Sequence, residues 1–191
     1  MKKMDMKGFS LIELLITLAI MLVLISGSAI LMSTLVNANE QRAVNSLKSE
    51  VEMLRTNTLS IDNSYYIEIT NKEGIIYINS YKNGDLMDST KLGSRISLSI
   101  SFTEGDTSTG LTLSKGTSLF IEFDKSKGSV KSLNYGGSAV NSSEDVNGTR
   151  VYYITFTGGT NLIENSFINF NIKGRKTKSL LLYLKTGLFK E

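Results

Sequence analysis

The chain has 191 residues, with 21 lysines and arginines against 18 aspartates and glutamates for a net charge of +3, and it lacks cysteine, histidine and tryptophan. Without cysteine there is no disulfide framework, no thiolate metal site and no cysteine nucleophile; without histidine the commonest general base and the commonest zinc ligand are gone. The length suits one anchor and one modest domain, with charge distributed locally: residues 60–172 hold nine basic against twelve acidic side chains, residues 173–191 six against one.

The amino end organises the chain. A leader, MKKMDMKG, carries Lys2, Lys3 and Lys7 against Asp5, and is followed from Phe9 to Val36 by a 28-residue run whose single charge is Glu13. A helix of that length is about 42 Å long, more than the roughly 30 Å of a bilayer core. The lysine excess keeps the amino terminus cytoplasmic and sends the rest of the chain outward. An ionised carboxylate in a membrane helix costs on the order of 2.5–3.5 kcal/mol, so Glu13 is expected to have a partner. A secretory signal peptide is the competing reading, with Leu14 to Ile25 as its apolar region and Ser26-Gly27-Ser28-Ala29 as its cleavage site. Glu13 within the apolar run, and the apolar residues continuing past Ala29, stand against it.

Past Val36 the helical period continues but becomes one-sided. Ala43, Val44, Leu47, Val51 and Leu54 form an apolar stripe, while Glu40, Arg42, Lys48, Glu50, Glu52 and Arg55 fill the other faces. Neither proline nor glycine interrupts residues 28–59, which predicts one helix from about Phe9 to Leu59, roughly 75 Å long. The stripe is a core face for whatever follows. Gly27, between two serines, is the one candidate soft point.

From Ser60 the pattern is that of strands. Tyr65–Thr70 and Ile75–Ser80 flank a turn at residues 71–74; Arg95–Phe102 alternates strictly, with Ile96, Leu98, Ile100 and Phe102 on one face. Leu119–Phe123 and Val130–Tyr135 flank a turn at residues 124–128, and Arg150–Thr157, Phe167–Lys173 and Ser179–Thr186 complete the set. Each strand hides one face, and the helical stripe is the available partner. Residues 103–110 and 136–149, rich in Gly, Ser, Asn and Asp, are expected to be exposed loops. The fold class expected is α+β, a long amino-terminal helix packed on an antiparallel β-rich head. Its divisions are residues 1–8 (leader), 9–36 (apolar helix), 37–59 (amphipathic helix) and 60–191 (head).

No catalytic constellation is present. A Ser-His-Asp arrangement is impossible, nothing marks a Ser-Lys dyad, and no glycine-rich phosphate loop lies between a strand and a helix. The acidic pairs Asp85/Asp88, Glu104/Asp106 and Glu144/Asp145 lack EF-hand spacing and read as solvated loop charge. No enzyme activity, metal or other cofactor is expected. Lys173, Arg175, Lys176 and Lys178 surround Gly174 on a predicted hairpin turn. They are either lysines decorating a sheet edge against unwanted pairing or a patch that neutralises a few phosphates of DNA or an acidic partner face.

Lys7-Gly8-Phe9-Ser10-Leu11-Ile12-Glu13-Leu14-Leu15 resembles the processing site of type IV prepilins and type II secretion pseudopilins. The resemblance covers about thirty residues and implies a pilin fold. It implies cleavage between Gly8 and Phe9 by a prepilin peptidase, methylation of the new amino terminus, and a role for Glu13 as acidic partner of the Phe9 amine of a neighbouring subunit. The partners implied are the peptidase, other pilins or pseudopilins, the assembly platform and the membrane. The location implied is the cytoplasmic membrane as a single-pass precursor with its head outside, then a surface pilus or secretion pseudopilus. The chain departs from many Gram-negative pilins in having no cysteine pair, and from major pilins in having Ile30 where they carry a helix proline. The strand Phe167–Lys173, Gly174, the strand Leu180–Leu184 and the pair Thr186-Gly187 resemble the closing hairpin of GspH- and FimT-like minor pilins. Some FimT-like members act as DNA receptors through basic residues near the carboxyl terminus. The alternative function is therefore a displayed binding module that uses Lys173, Arg175, Lys176 and Lys178.

Overall fold

A computed structural model describes residues 10–60, 64–104, 107–135, 138–144, 150–156, 159–162 and 167–190; for 27–38, 94, 103–104, 107–109, 138–144, 150–151, 153–156 and 159–162 the description is of backbone alone. One helix, α1 (Leu11–Ser60), precedes thirteen strands. The chain divides into two units, residues 1–38 and 39–191.

The second unit contains two antiparallel sheets. The strands are β1 (Tyr65–Lys72), β2 (Ile75–Lys82), β3 (Asp85–Ser94), β4 (Ser97–Glu104), β5 (Thr107–Thr112), β6 (Ser118–Phe123) and β7 (Val130–Tyr135). They continue with β8 (Ser138–Glu144), β9 (Arg150–Phe156), β10 (Gly159–Leu162), β11 (Phe167–Lys173), β12 (Thr177–Tyr183) and β13 (Leu188–Lys190). Eight form one sheet in the order β10-β9-β8-β7-β6-β1-β2-β3, and five form the other, β13-β12-β11-β4-β5.

The residues of the helical stripe, Ala43, Val44, Leu47, Val51 and Leu54, are all buried in one core shared with both sheets. The large sheet contributes Ile67 and Ile69 of β1 and their neighbours Ile78 and Ile121; the small sheet contributes Leu98, Ile100, Phe170, Ile172 and Leu180. Alternation along each strand sorts these from the solvent face, as in β11, where Ile168, Phe170 and Ile172 are buried.

The turns follow backbone requirements. Glu73 (φ 53°) with Gly74 (φ 87°), and Asn83 (φ 52°) with Gly84 (φ 95°), give the paired left-handed conformations of two-residue hairpin loops. Between β6 and β7, Asp124 Oδ1 accepts from the backbone N–H of Ser126 (2.8 Å) and Lys127 (3.1 Å), the Asx pattern that closes such a turn.

Several expectations are corrected. Within residues 103–110 and 136–149, of which 105–106, 136–137 and 145–149 lie outside the described residues, the expected loops are in part strand: β4 runs on to Glu104, β5 pairs with it, and β8 lies between β7 and β9. Polar strands of this kind are held by ladder bonds to their neighbours and carry little alternation to betray them. Asp85 and Asp88 accordingly lie on strand β3, and not in a loop. The closing strand ends at Tyr183 and not at Thr186, because Gly187 N–H donates to Tyr183 O (2.7 Å) and turns the chain into β13. Gly187 sits at φ 65°, and a Cβ there would strike the Gly128 carbonyl and the Phe123 ring, so only glycine fits the Thr186-Gly187 turn.

Candidate functional site

Lys7, Gly8 and Phe9 lie outside the described residues, so the site begins at Ser10. There Ser10 and Glu13 form a capping box. Glu13 N–H donates to Ser10 Oγ (3.3 Å), and Glu13 Oε2 accepts from Ser10 N–H (3.1 Å) and Ser10 Oγ (3.2 Å). This satisfies otherwise orphaned donors at the helix start and turns the carboxylate toward the amino end of α1, where the helix dipole also favours it. Glu13 Oε1 accepts from no group among the described residues. The Ser10-x-x-Glu13 spacing is the sequence signal for this role of Ser10.

From Leu11 to Ile25 the large apolar side chains are all exposed. The hydroxyls in this stretch turn inward: Thr17 donates to Leu14 O and Ser26 to Val23 O, both at 2.9 Å. Helix α1 continues without a break through Gly27. Among the described residues no helix is long and apolar enough to cross a membrane. The apolar run with described side chains ends at Ser26, short of the about 20 residues a spanning helix takes. The remainder of the expected span, residues 27–36, lies beyond those side chains.

At the other end of the chain the structure brings the four predicted cations together. Lys173, Arg175, Lys176 and Lys178 are all exposed around the β11–β12 turn, where Lys173 pairs with Thr177. Beneath them lies one of the charged helix residues outside the apolar stripe. Glu40 is 2% exposed, and its Oε1 accepts from the backbone N–H groups of Arg175 and Lys176, the latter at 2.9 Å. A Cβ at Gly174 would come within 2.5 Å of the same oxygen, so the glycine makes room for the carboxylate. No sequence signal separates Glu40 from its charged neighbours on the helix. Two more charged residues outside the stripe bond to the head: Arg55 Nε donates to Thr186 O (2.7 Å) and Gly128 O (3.0 Å), and Glu50 accepts from Thr90 Oγ1 (3.0 Å).

The outward face of the large sheet carries a third polar group of residues, which the sequence did not mark. Glu68 accepts from Ser118 Oγ (2.7 Å), Tyr81 OH (3.0 Å) and Asn79 Nδ2 (3.2 Å). Burial by itself would raise its carboxyl, but these bonds and the charge of Lys72 outweigh burial and hold it below the usual carboxylate range. Burial and the bond to Glu68 push the Tyr81 phenol up. Tyr66 stacks on Tyr81 with ring centroids 4.7 Å apart. Among the described residues no three potential metal-ligating side chains cluster.

Residues 3–29 match the prokaryotic N-terminal methylation motif. No curated protein and no solved structure matches the chain. The motif supports a protein similar to type IV prepilins and pseudopilins, and it implies processing by a prepilin peptidase, assembly with other pilins, and a membrane-anchored precursor of a surface pilus.

Proposed function

We propose that the chain is a structural subunit, a minor pilin or pseudopilin of a type IV pilus or type II secretion-like filament, and not an enzyme. The peptidase cuts between Gly8 and Phe9 and methylates the new amine. Residues 9–36 anchor the precursor in the cytoplasmic membrane as a single span, and then pack against the same helices of other subunits in the filament. The head, residues 60–191 laid on the amphipathic half of α1 as in a pilin fold, forms the outer surface. The observation that carries this reading is the methylation motif over residues 3–29, with Glu13 turned toward the amino end of its helix. Glu13 Oε2 is engaged by Ser10, which leaves Oε1 to accept from the amine of a neighbour's Phe9. In a low-dielectric surrounding such a charge pair is worth far more than at a protein surface.

The test separates processing from assembly. Glu13→Ala is expected to be cut and methylated as the wild type, read by the mass of the mature chain, yet to be lost from purified filaments. Wild-type incorporation of Glu13→Ala would remove the pairing mechanism. Mature chains that begin anywhere but Phe9 would remove the whole reading.

A second reading has one observation in its favour, the four exposed cations on the β11–β12 turn. A displayed module of this kind would hold DNA through phosphate contacts alone, so its binding would fall steeply with salt. A filter-binding titration of the chain with duplex DNA across a salt series tests it, and absence of binding at low salt ends it.

A further inference from the structure

The outward face of the large sheet ends in an open cleft of about 1210 Å³, larger than the roughly 300–1,000 Å³ of most small-molecule pockets. Its floor is β1 and β2, with Thr70 opposite Tyr77, and one wall is the loop between β5 and β6 that carries Lys115. That wall is pinned. The buried Asn71 donates from Nδ2 to Leu113 O (2.9 Å), takes Gly74 N–H on Oδ1 (2.9 Å) and takes Gly116 N–H on its own carbonyl (2.8 Å). The hairpin turn and the loop are thereby one rigid frame, and Lys115 Cε lies 3.8 Å from where a Gly74 side chain would begin. A preformed concavity spares a ligand the cost of ordering its site.

One group in this frame has no structural occupation. Thr70 is 5% exposed and lines the cleft, yet its hydroxyl makes no hydrogen bond among the described residues, although no fully enclosed polar side-chain atom there lacks a partner. Its oxygen is therefore not enclosed, and a ligand in the open cleft can reach the hydroxyl by displacing solvent.

The chemistry of the lining narrows the ligand. Tyr77 and Ile75 supply an apolar wall; Thr70 and Ser89 supply hydroxyls; Lys72 and Lys115 outnumber Glu73. β1 and β2 are inner strands whose backbone groups are taken by β6 and β3, so a peptide cannot be added as a further strand. A nucleic acid strand wants a continuous basic track with several stacking platforms, and Tyr77 is the one aromatic side chain among the described residues that line this cleft. An aromatic and aliphatic wall beside hydroxyl, ammonium and carboxylate groups suits a ring that has a C–H face and a rim of hydroxyls. We infer that the cleft binds a short acidic oligosaccharide, with Thr70 bonded to a sugar hydroxyl, Tyr77 against a ring face and Lys115 on the sugar carboxylate. The inference does not depend on membership of a filament.

The experiment uses the full-length chain in detergent micelles, titrated calorimetrically with trigalacturonic acid and, in parallel, with the neutral trimer of N-acetylglucosamine. Saturable binding of the acidic trimer is expected, tighter than the neutral one. Thr70→Val and Lys115→Ala are each expected to weaken it by about fivefold or more while leaving the melting temperature unchanged. Amide shifts on binding should fall at Thr70, Tyr77 and Lys115. No saturable binding of the acidic trimer, equal binding of the two trimers, indifference to both substitutions, or shifts confined to another face would each overturn the proposal.

Discussion

Two stretches of α1 make opposite uses of similar residues. Between Leu11 and Ile25 the apolar side chains are exposed, Leu11 at 83% and Val23 at 70%; between Ala43 and Leu54 the apolar stripe is at most 3% exposed. The backbone is the same regular helix in both. What differs is the interleaving: the first stretch is apolar on every side, whereas the second alternates its stripe with charged residues. A helix apolar all round has no preferred face for a single core and calls for an environment apolar on all sides, while a one-sided stripe needs only one covering sheet. Each large exposed side chain of the first stretch forgoes about 1.5–3 kcal/mol of burial, so its partners must be lipid or other chains.

The largest effect that separates the two is a cavity. Leu47→Ala, at a fully buried position, should lower the unfolding free energy of the head by about 2–5 kcal/mol, because the lost contacts and the void add. Leu15→Ala removes the same atoms from an exposed position and should move it by less than about 0.5 kcal/mol. Urea titrations of the full-length chain in detergent, followed by tyrosine fluorescence, make the comparison. Equal losses would erase the distinction between the stretches.

Much of this was legible because the apolar pattern carries it. The stripe Ala43 to Leu54 and the strands at Tyr65, Ile75, Leu119 and Phe167 announce themselves through period and β-branched content. Strand β3 was missed although Asn83-Gly84 is a strong hairpin signal, because Asp85, Asp88 and Lys91 around the adjacent and exposed Leu86 and Met87 leave no alternation, a pattern suited to a sheet edge. β5 and β8 were missed because backbone pairing leaves no mark on side-chain pattern. The site divides in the same way. Glu13 stood out against an apolar background, whereas Glu40 could not, since a buried acid and a solvated one look alike among helical charges until the hairpin is folded onto them.

That hairpin gives the next effect in size. Glu40→Ala strips the acceptor from the N–H groups of Arg175 and Lys176, and an unmet donor in partly buried surroundings costs about 1–3 kcal/mol. Glu40→Gln keeps an acceptor oxygen and should cost less than Glu40→Ala. Native-state hydrogen exchange is the sharper measurement: both amides should lose protection in Glu40→Ala while those of β1 keep theirs. Unchanged protection would mean that the turn is held by its strands alone. It would also mean that the four cations around it are placed without help from the helix.

The smallest effect lies on the outward sheet face and has a definite sign. The Glu68 carboxyl titrates below its ordinary value of 4.5 in the folded chain, since Ser118, Asn79, Tyr81 and Lys72 together outweigh the upward push of burial. A group depressed on folding contributes stability that is present above its unfolded value and lost as pH falls through the folded one. Stability should therefore fall more steeply on acidification below pH 4.5 in the wild type than in Glu68→Gln, whose amide keeps a hydrogen-bonding oxygen but has no proton to take up. Other carboxylates contribute equally to both chains and cancel in the difference. The phenol of Tyr81 gives the mirror case: raised on folding, it contributes below its ordinary value of 10.0 and loses that contribution as pH rises through the folded value. Tyr81→Phe should flatten the alkaline limb and, by removing one donor from Glu68, also weaken part of the acid limb. Urea midpoints measured across both limbs for the three chains decide it. If Tyr81→Phe alters the alkaline limb alone, the two groups titrate independently and the network on this face is a set of separate bonds; if it alters both limbs, Glu68 and Tyr81 act as one coupled pair.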